Sequence, residues 1–162
     1  MLFRCAGIVK DSIVDGPGLR LAIFFQGCPH HCLGCHNPQT WDLKGGEEKD
    51  TQNIIRQIVQ YGILWRGITI TGGEPFSQPE AVYKLAQQTK ELNKDVWCYT
   101  GYLYEDLKKM DNEFVQKALK VIDVLVDGPF VSSLKSYNLK WRGSSNQRII
   151  DLKTRKEISD GN

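Results

Sequence analysis

Four short runs of apolar, β-branched or aromatic residues, at 21–25, 68–71, 96–100 and 121–126, each lead directly into a glycine turn. Continuous runs of this kind suit strands buried on both faces. Between them, Ile54, Ile55, Ile58 and Val59, then Ala81, Val82, Leu85 and Ala86, recur at intervals of three and four, the spacing of an apolar helical stripe. Ser77-Gln78-Pro79-Glu80 announces the second helix: Ser77 can cap free amides, Glu80 can reach back, and proline is tolerated in a first turn. A third helical stretch runs from Tyr104 to Leu119, with a break expected at Met110-Asp111-Asn112. Strand and helix in alternation predict a parallel sheet with right-handed crossovers, whose carboxyl-end loops gather on one edge. Those loops are Gln26-Gly27-Cys28, Gly72-Gly73-Glu74-Pro75, Gly101-Tyr102 and Asp127-Gly128-Pro129, and they predict a single site. A complete eight-unit barrel needs about 250 residues. A chain of 162 is expected to be α/β, a partial, incomplete βα barrel with mostly parallel strands, forming one domain over 1–162 with a frayed tail at Asp160-Gly161-Asn162.

Composition narrows the partners. With 21 basic and 19 acidic residues, the chain has no field of one sign to draw in nucleic acid or an anionic membrane. Residues 1–7 lack the apolar region of a signal peptide, and no run of about 18 apolar residues could span a bilayer, so a cytoplasmic protein is expected. Five cysteines are an odd number, and three of them fall within eight residues, which suits a metal site in a reducing compartment better than a disulfide framework. Cys5 and Cys98 stand apart and read as core thiols.

In Cys28-Pro29-His30-His31-Cys32-Leu33-Gly34-Cys35, a loop directly after a strand carries three thiols. Three thiolates can each bind one iron of a [4Fe-4S] cluster and leave the fourth iron without a protein ligand, open to substrate. The alternative is a zinc site completed by His30, His31 or His36. Zinc modules usually pair two cysteines with a second pair well downstream, and Cys98 has no companion. His30 and His31 read as exposed polar residues, whereas His36 and Asn37 could line the site.

Gly72-Gly73-Glu74-Pro75 ends a strand, so its glycines let backbone groups approach a ligand, and Glu74 offers an acceptor for an ammonium group. Alone, two glycines before a proline could equally be a tight turn.

Together the two motifs resemble the radical S-adenosylmethionine superfamily. That resemblance implies a partial barrel of the radical SAM type, with S-adenosyl-L-methionine chelating the open iron through its amino and carboxylate groups. Gly34, Cys35, His36, Asn37, Gly72, Gly73 and Glu74 would surround the cofactor, and Cys28, Cys32 and Cys35 would hold iron. Reductive cleavage would then give a 5'-deoxyadenosyl radical, with no side chain needed as acid or base.

Asp15-Gly16-Pro17-Gly18-Leu19-Arg20 and Cys35-His36-Asn37-Pro38-Gln39-Thr40-Trp41 are similar to segments of glycyl-radical activating enzymes. Within that group, Tyr99-Thr100-Gly101-Tyr102, Val124-Leu125-Val126-Asp127-Gly128-Pro129-Phe130 and Trp141-Arg142-Gly143-Ser144-Ser145-Asn146-Gln147-Arg148 resemble the activators of anaerobic ribonucleoside-triphosphate reductase. The resemblance implies abstraction of hydrogen from a glycine of the reductase's glycyl-radical subunit, with electrons from a flavodoxin or ferredoxin. Activators of pyruvate formate-lyase are longer and usually carry aspartate where this chain has Tyr99. That departure favours the reductase activators and puts a cation site built on that aspartate in doubt, although Asp127 remains. Several reductase activators have aspartate at Glu74. The segment 141–148 admits three readings: a solvated loop, a stacking surface for single-stranded nucleic acid, or a strap over the site. Trp65, Trp97, Tyr102 and Tyr104 suit either a docking face or the core. The rival functions are activation of another glycyl-radical enzyme, modification of a small molecule, and a zinc-stabilised binding module.

Overall fold

The computed structural model describes residues 1–158; the tail Asp160-Gly161-Asn162 lies outside the described residues. Its centre is β2 (Arg20–Phe25), β4 (Gly67–Gly72), β5 (Asp95–Tyr99) and β6 (Val124–Asp127), mutually parallel and adjacent in chain order. Strands placed side by side in chain order are those of a barrel, each crossover advancing one position. Here the sheet stays open. On one side β1 (Leu2–Ser12) and β3 (Glu47–Asp50) add antiparallel strands, and on the other β7 (Arg148–Asp151) and β8 (Lys156–Glu157) do the same. The expected partial βα barrel is therefore the observed architecture.

Period-two alternation divides the central strands. Leu21, Ile23, Phe25, Ile68, Ile70, Val96, Cys98 and Leu125 point to one face. They are buried with apolar residues of α1 (Thr51–Tyr61), α2 (Pro79–Glu91) and α4 (Glu113–Val121) in one core. Cys5 and Cys98 are both buried, as expected of core thiols. The opposite face departs from expectation: it is not uniformly apolar. Trp97, Val124, Val126 and Ile149 form a small second cluster there. Beside it, Arg20 and Thr69 are fully buried. The guanidinium of Arg20 donates to Thr69 Oγ1 at 2.8 Å, Ile68 O at 2.8 Å and Pro17 O at 2.9 Å, and it pairs with Asp95. It also lies over the Trp97 ring at 5.8 Å. A charge can sit at that depth because each of its three nitrogens has an acceptor and a carboxylate pairs with it.

Other differences have local causes. β1 escapes a periodicity search because a register shift between Cys5 and Gly7 breaks its alternation, and β3 is four charged residues. The run 121–126 contains only part of a strand, since Val121 ends α4 and β6 starts at Val124. Ser77 does not cap α2. It belongs to a 3₁₀ turn, and Gln78 at the cap position bonds elsewhere, accepting from Arg4 N at 2.8 Å and donating to Arg4 O at 2.9 Å and Gln26 O at 3.1 Å. Pro79 does occupy the first turn. The break at 110–112 is real: α3 (Tyr104–Lys109) stops before it, and Asn112 Oδ1 caps α4 by accepting from Phe114 N at 2.9 Å and Val115 N at 3.1 Å. Trp65 and Trp97 are core residues. Among the described residues no helix is long and apolar enough to cross a membrane.

Arg20→Met leaves Thr69, two carbonyls and Asp95 without their shared donor, and is expected to cost about 3 kcal/mol in urea unfolding of the apoprotein. Arg66→Met removes the other partner of Asp95, but the Arg66 side chain is 60% exposed, so the same measurement should register less than about 1 kcal/mol.

Candidate functional site

The loops leaving β2, β4, β5 and β6 enclose a cavity of about 400 Å³, with Cys28, Cys32, Cys35, Gly72, Gly73 and Gly101 in its wall. A larger cleft of about 950 Å³ contains Trp97, Asp123 and Lys153 but no thiol. Its charges are largely committed to one another, as in Lys90 with Asp123 and Arg66 with Asp95. Chemistry, not size, selects the smaller cavity.

After β2 the chain is stitched rather than loose. Gly27 N donates to Thr40 O at 2.7 Å, and Cys28 N to Trp41 O at 3.2 Å. The Gln26 amide donates to Gln39 O at 3.0 Å and Asp42 O at 2.7 Å. Cys35 N donates to Cys32 O at 3.0 Å, a tight turn that needs the left-handed conformation of Gly34, φ +76°. His31 is exposed, as expected, and stacks on Trp41 at 4.5 Å. His36 is also exposed and meets Phe130 edge to face at 5.2 Å. Asn37 N donates to Cys35 Sγ at 3.4 Å. All three loop cysteines are free thiols of intermediate burial. Burial raises the Cys28 pKa, against the pull of the His30 and His31 amides.

The glycine turn is hydrogen-bonded to the root of the cysteine loop: Gly73 N donates to Phe25 O and Glu74 N to Gly27 O, both at 2.8 Å. A Cβ on Gly73 would stand 2.4 Å from Gly27 O, so the approach requires glycine. Glu74 corrects the expectation that it offers an acceptor to an ammonium group. It is fully buried, and both carboxylate oxygens are taken. Oε1 accepts from Phe76 N and Thr100 Oγ1 at 2.9 Å; Oε2 accepts from Gly101 N at 2.8 Å and meets His30 Nε2 at 2.7 Å. His30, in turn, is not an exposed polar residue. Sequence reading missed the part played by Thr100 and His30, whose partnership with Glu74 spans 26 and 44 residues of chain.

Asp127 is buried, accepts from Arg148 Nε at 3.0 Å and from Tyr104 N at 2.7 Å, and forms a second bond to Arg148. Both oxygens of Asp127 are thus engaged by protein donors. In the segment 141–148, Trp141, with φ +64°, is held by Tyr99 Oη donating to its carbonyl at 2.7 Å, and Gly143 N donates to Gln147 Oε1 at 2.8 Å. Burial pushes the Tyr99 pKa well up, keeping the phenol a donor. Trp141, Gly143 and Gln147 line the cavity, so this segment forms one of its walls.

The residues present fit an iron-sulfur cluster. Cys28, Cys32 and Cys35 are three free thiols in the wall of one cavity, the donor set of a group whose irons each take one sulfur. Trp41, in the same wall, has a buried indole N–H with no protein partner. Together with the Asn37 amide, it is a donor of the kind that tunes cluster sulfur.

A family described as "4Fe-4S single cluster domain" matches residues 14–150. The chain is 38% identical to the anaerobic ribonucleoside-triphosphate reductase-activating protein of Vibrio cholerae, over 85% of this chain and 91% of that protein. Proteins of the same description from Escherichia coli K12 and Enterobacteria phage T4 are 37% and 36% identical, over 88% of this chain and 94% and 90% of theirs.

Gly73→Ala, whose methyl meets the backbone of Gly27, is expected to lower apoprotein stability by about 2 kcal/mol in thermal melting. Gly7→Ala, with nothing within 4 Å of the new atom, should change it little.

Proposed function

Because the chain belongs to the family of anaerobic ribonucleoside-triphosphate reductase-activating proteins, which are radical S-adenosylmethionine enzymes, we propose that it activates such a reductase at the cavity described above. One activase domain spanning 1–162 is proposed to do this. Cys28, Cys32 and Cys35 would each hold one iron of a [4Fe-4S] cluster, leaving the fourth to the amino and carboxylate groups of S-adenosyl-L-methionine. Such a cluster, once reduced, would supply the electron that splits S-adenosyl-L-methionine into methionine and a 5'-deoxyadenosyl radical able to take hydrogen from a glycine of the reductase.

The protein's own work is to bind, orient and exclude. The observation that carries this reading is the meeting of the three free thiols and the Gly72-Gly73 turn in one cavity, joined by the backbone bonds of Gly73 to Phe25 and Glu74 to Gly27. Bare glycine backbone at 72 and 73 would leave room for the ligand's amino group, while His36 and Asn37 line the cysteine side and Gly34 shapes the turn between Cys32 and Cys35. Since Glu74 is sealed among protein donors, its part is to hold the turn rather than touch the ligand. The Trp141–Gln147 wall limits water, and a flexible glycine loop must enter to within about 3 to 3.5 Å of the reacting carbon. The electron would come from a low-potential flavodoxin-like or ferredoxin-like protein, and a cluster with an open iron would need reducing, oxygen-free surroundings, in keeping with a cytoplasmic site.

Anaerobic reconstitution with iron and sulfide, then dithionite and S-adenosyl-L-methionine, is expected to yield 5'-deoxyadenosine, and an added anaerobic reductase should develop a glycyl-radical signal in electron paramagnetic resonance. Replacing Cys28, Cys32 or Cys35 by alanine should abolish both. A colourless protein that holds zinc and forms no product would overturn the proposal.

A further inference from the structure

We propose that His30 is a positioning residue that sets the cysteine loop against the glycine turn through Glu74, and so governs affinity for S-adenosyl-L-methionine. The inference rests on the reading that the thiols hold the cluster and that Gly72-Gly73 receives the ligand's amino group. A ligand whose amino group must meet both the open iron and the backbone of a separate loop binds well only if the two loops keep their separation.

Glu74 is where that separation is set. Its carboxylate takes donors from three places: Phe76 N in its own turn, Thr100 Oγ1 and Gly101 N after β5, and His30 in the cysteine loop. His30 is the one side chain that reaches this carboxylate from between the cysteines, standing two residues after Cys28 and two before Cys32. A carboxylate only accepts, so Nε2 is the donor in this bond.

Packing fixes the ring as well. A Cβ on Gly101 would lie 2.5 Å from His30 Cδ2, so the imidazole rests on bare glycine backbone. It packs T-shaped with the Tyr102 ring, the centroids 4.6 Å apart and the planes at 75°. A side chain held by a short hydrogen bond and by contacts on two sides has little rotational freedom left, which is how a binding geometry is prepared in advance.

The test uses His30→Ala, His30→Gln, Gly101→Ala and the pair His30→Ala with Gly101→Ala. The Gln side chain can place an amide N–H near the position of Nε2. In the apoprotein, amide hydrogen exchange at Gly101 is expected to quicken in His30→Ala and to return toward the parent in His30→Gln. After reconstitution, iron and sulfide content should stay at the parent level in both. Titration of the reduced cluster's paramagnetic signal with S-adenosyl-L-methionine should show about tenfold weaker binding in His30→Ala, largely restored in His30→Gln. At saturating S-adenosyl-L-methionine, the rate of 5'-deoxyadenosine formation should fall much less than affinity does. Gly101→Ala should weaken binding alone and add little to His30→Ala, because the ring it collides with is gone.

Parent-like exchange and affinity in His30→Ala, or His30→Gln no better than His30→Ala, would overturn the proposal. If His30→Ala loses its iron, His30→Gln decides: parent affinity supports positioning, and equal loss of iron overturns it. A parent protein that takes up no cluster refutes the function proposed above instead, and the apoprotein exchange still tests the link between His30 and Glu74.

Discussion

A carboxylate withdrawn from water has to be met by donors wherever its lone pairs point, and Glu74 gathers them from loops that are distant in sequence. His30 and Gly101 reach it across 44 and 27 residues, respectively. The desolvation of one charge is therefore repaid only when the cysteine loop, the β4 turn and the β5 turn are all in place. Neutralising the side chain would remove the demand that draws these donors together. The site is built around a carboxylate whose acceptors are filled by protein donors.

That arrangement depends on the sheet beneath it. Parallel strands in chain order put every carboxyl end on the same edge, so loops separated by a helix of sequence become neighbours at strand spacing. Glycine at 72 and 73 then allows the β4 turn to fold back onto the end of β2, where backbone atoms come closer than any Cβ would permit. Sheet order supplies proximity, glycine supplies contact, and the buried carboxylate supplies specificity of register between loops.

The parts of the molecule that obey a short period were legible in the sequence. The continuous apolar run from Leu21 to Phe25 announces a strand, Ile54 and Ile58 a helix through their spacing, and the three cysteines metal chemistry through theirs. Edge strands were not legible, because β3 consists of Glu47, Glu48, Lys49 and Asp50, and charge is how an edge avoids pairing with other chains. Nor were the buried polar partnerships. His30 looked like a solvated residue in a cysteine loop, and Glu74 like an open acceptor, because nothing local in the sequence says that one faces the other. Gln78 misled in the same way: its neighbours suggest a capping motif, while its amide is spent joining α2 to β1.

Buried charge also stabilises the sheet beyond the Glu74 cluster. Arg20 ties β2 to β4 and to Asp95 of β5 beneath the 13–19 loop, and Asp127 ties the end of β6 to Arg148 of β7 and to the start of α3. An open barrel has two free margins and cannot rely on closure to hold its strands in register. Directional bonds to a buried guanidinium or carboxylate resist sliding between strands in a way that apolar contact does not, since a shift of one residue would leave each donor facing nothing. The inner face can therefore be polar, as Arg20 and Thr69 make it, without loss of order. It is this polar lining that separates an incomplete barrel from a sheet that is merely buried on both sides.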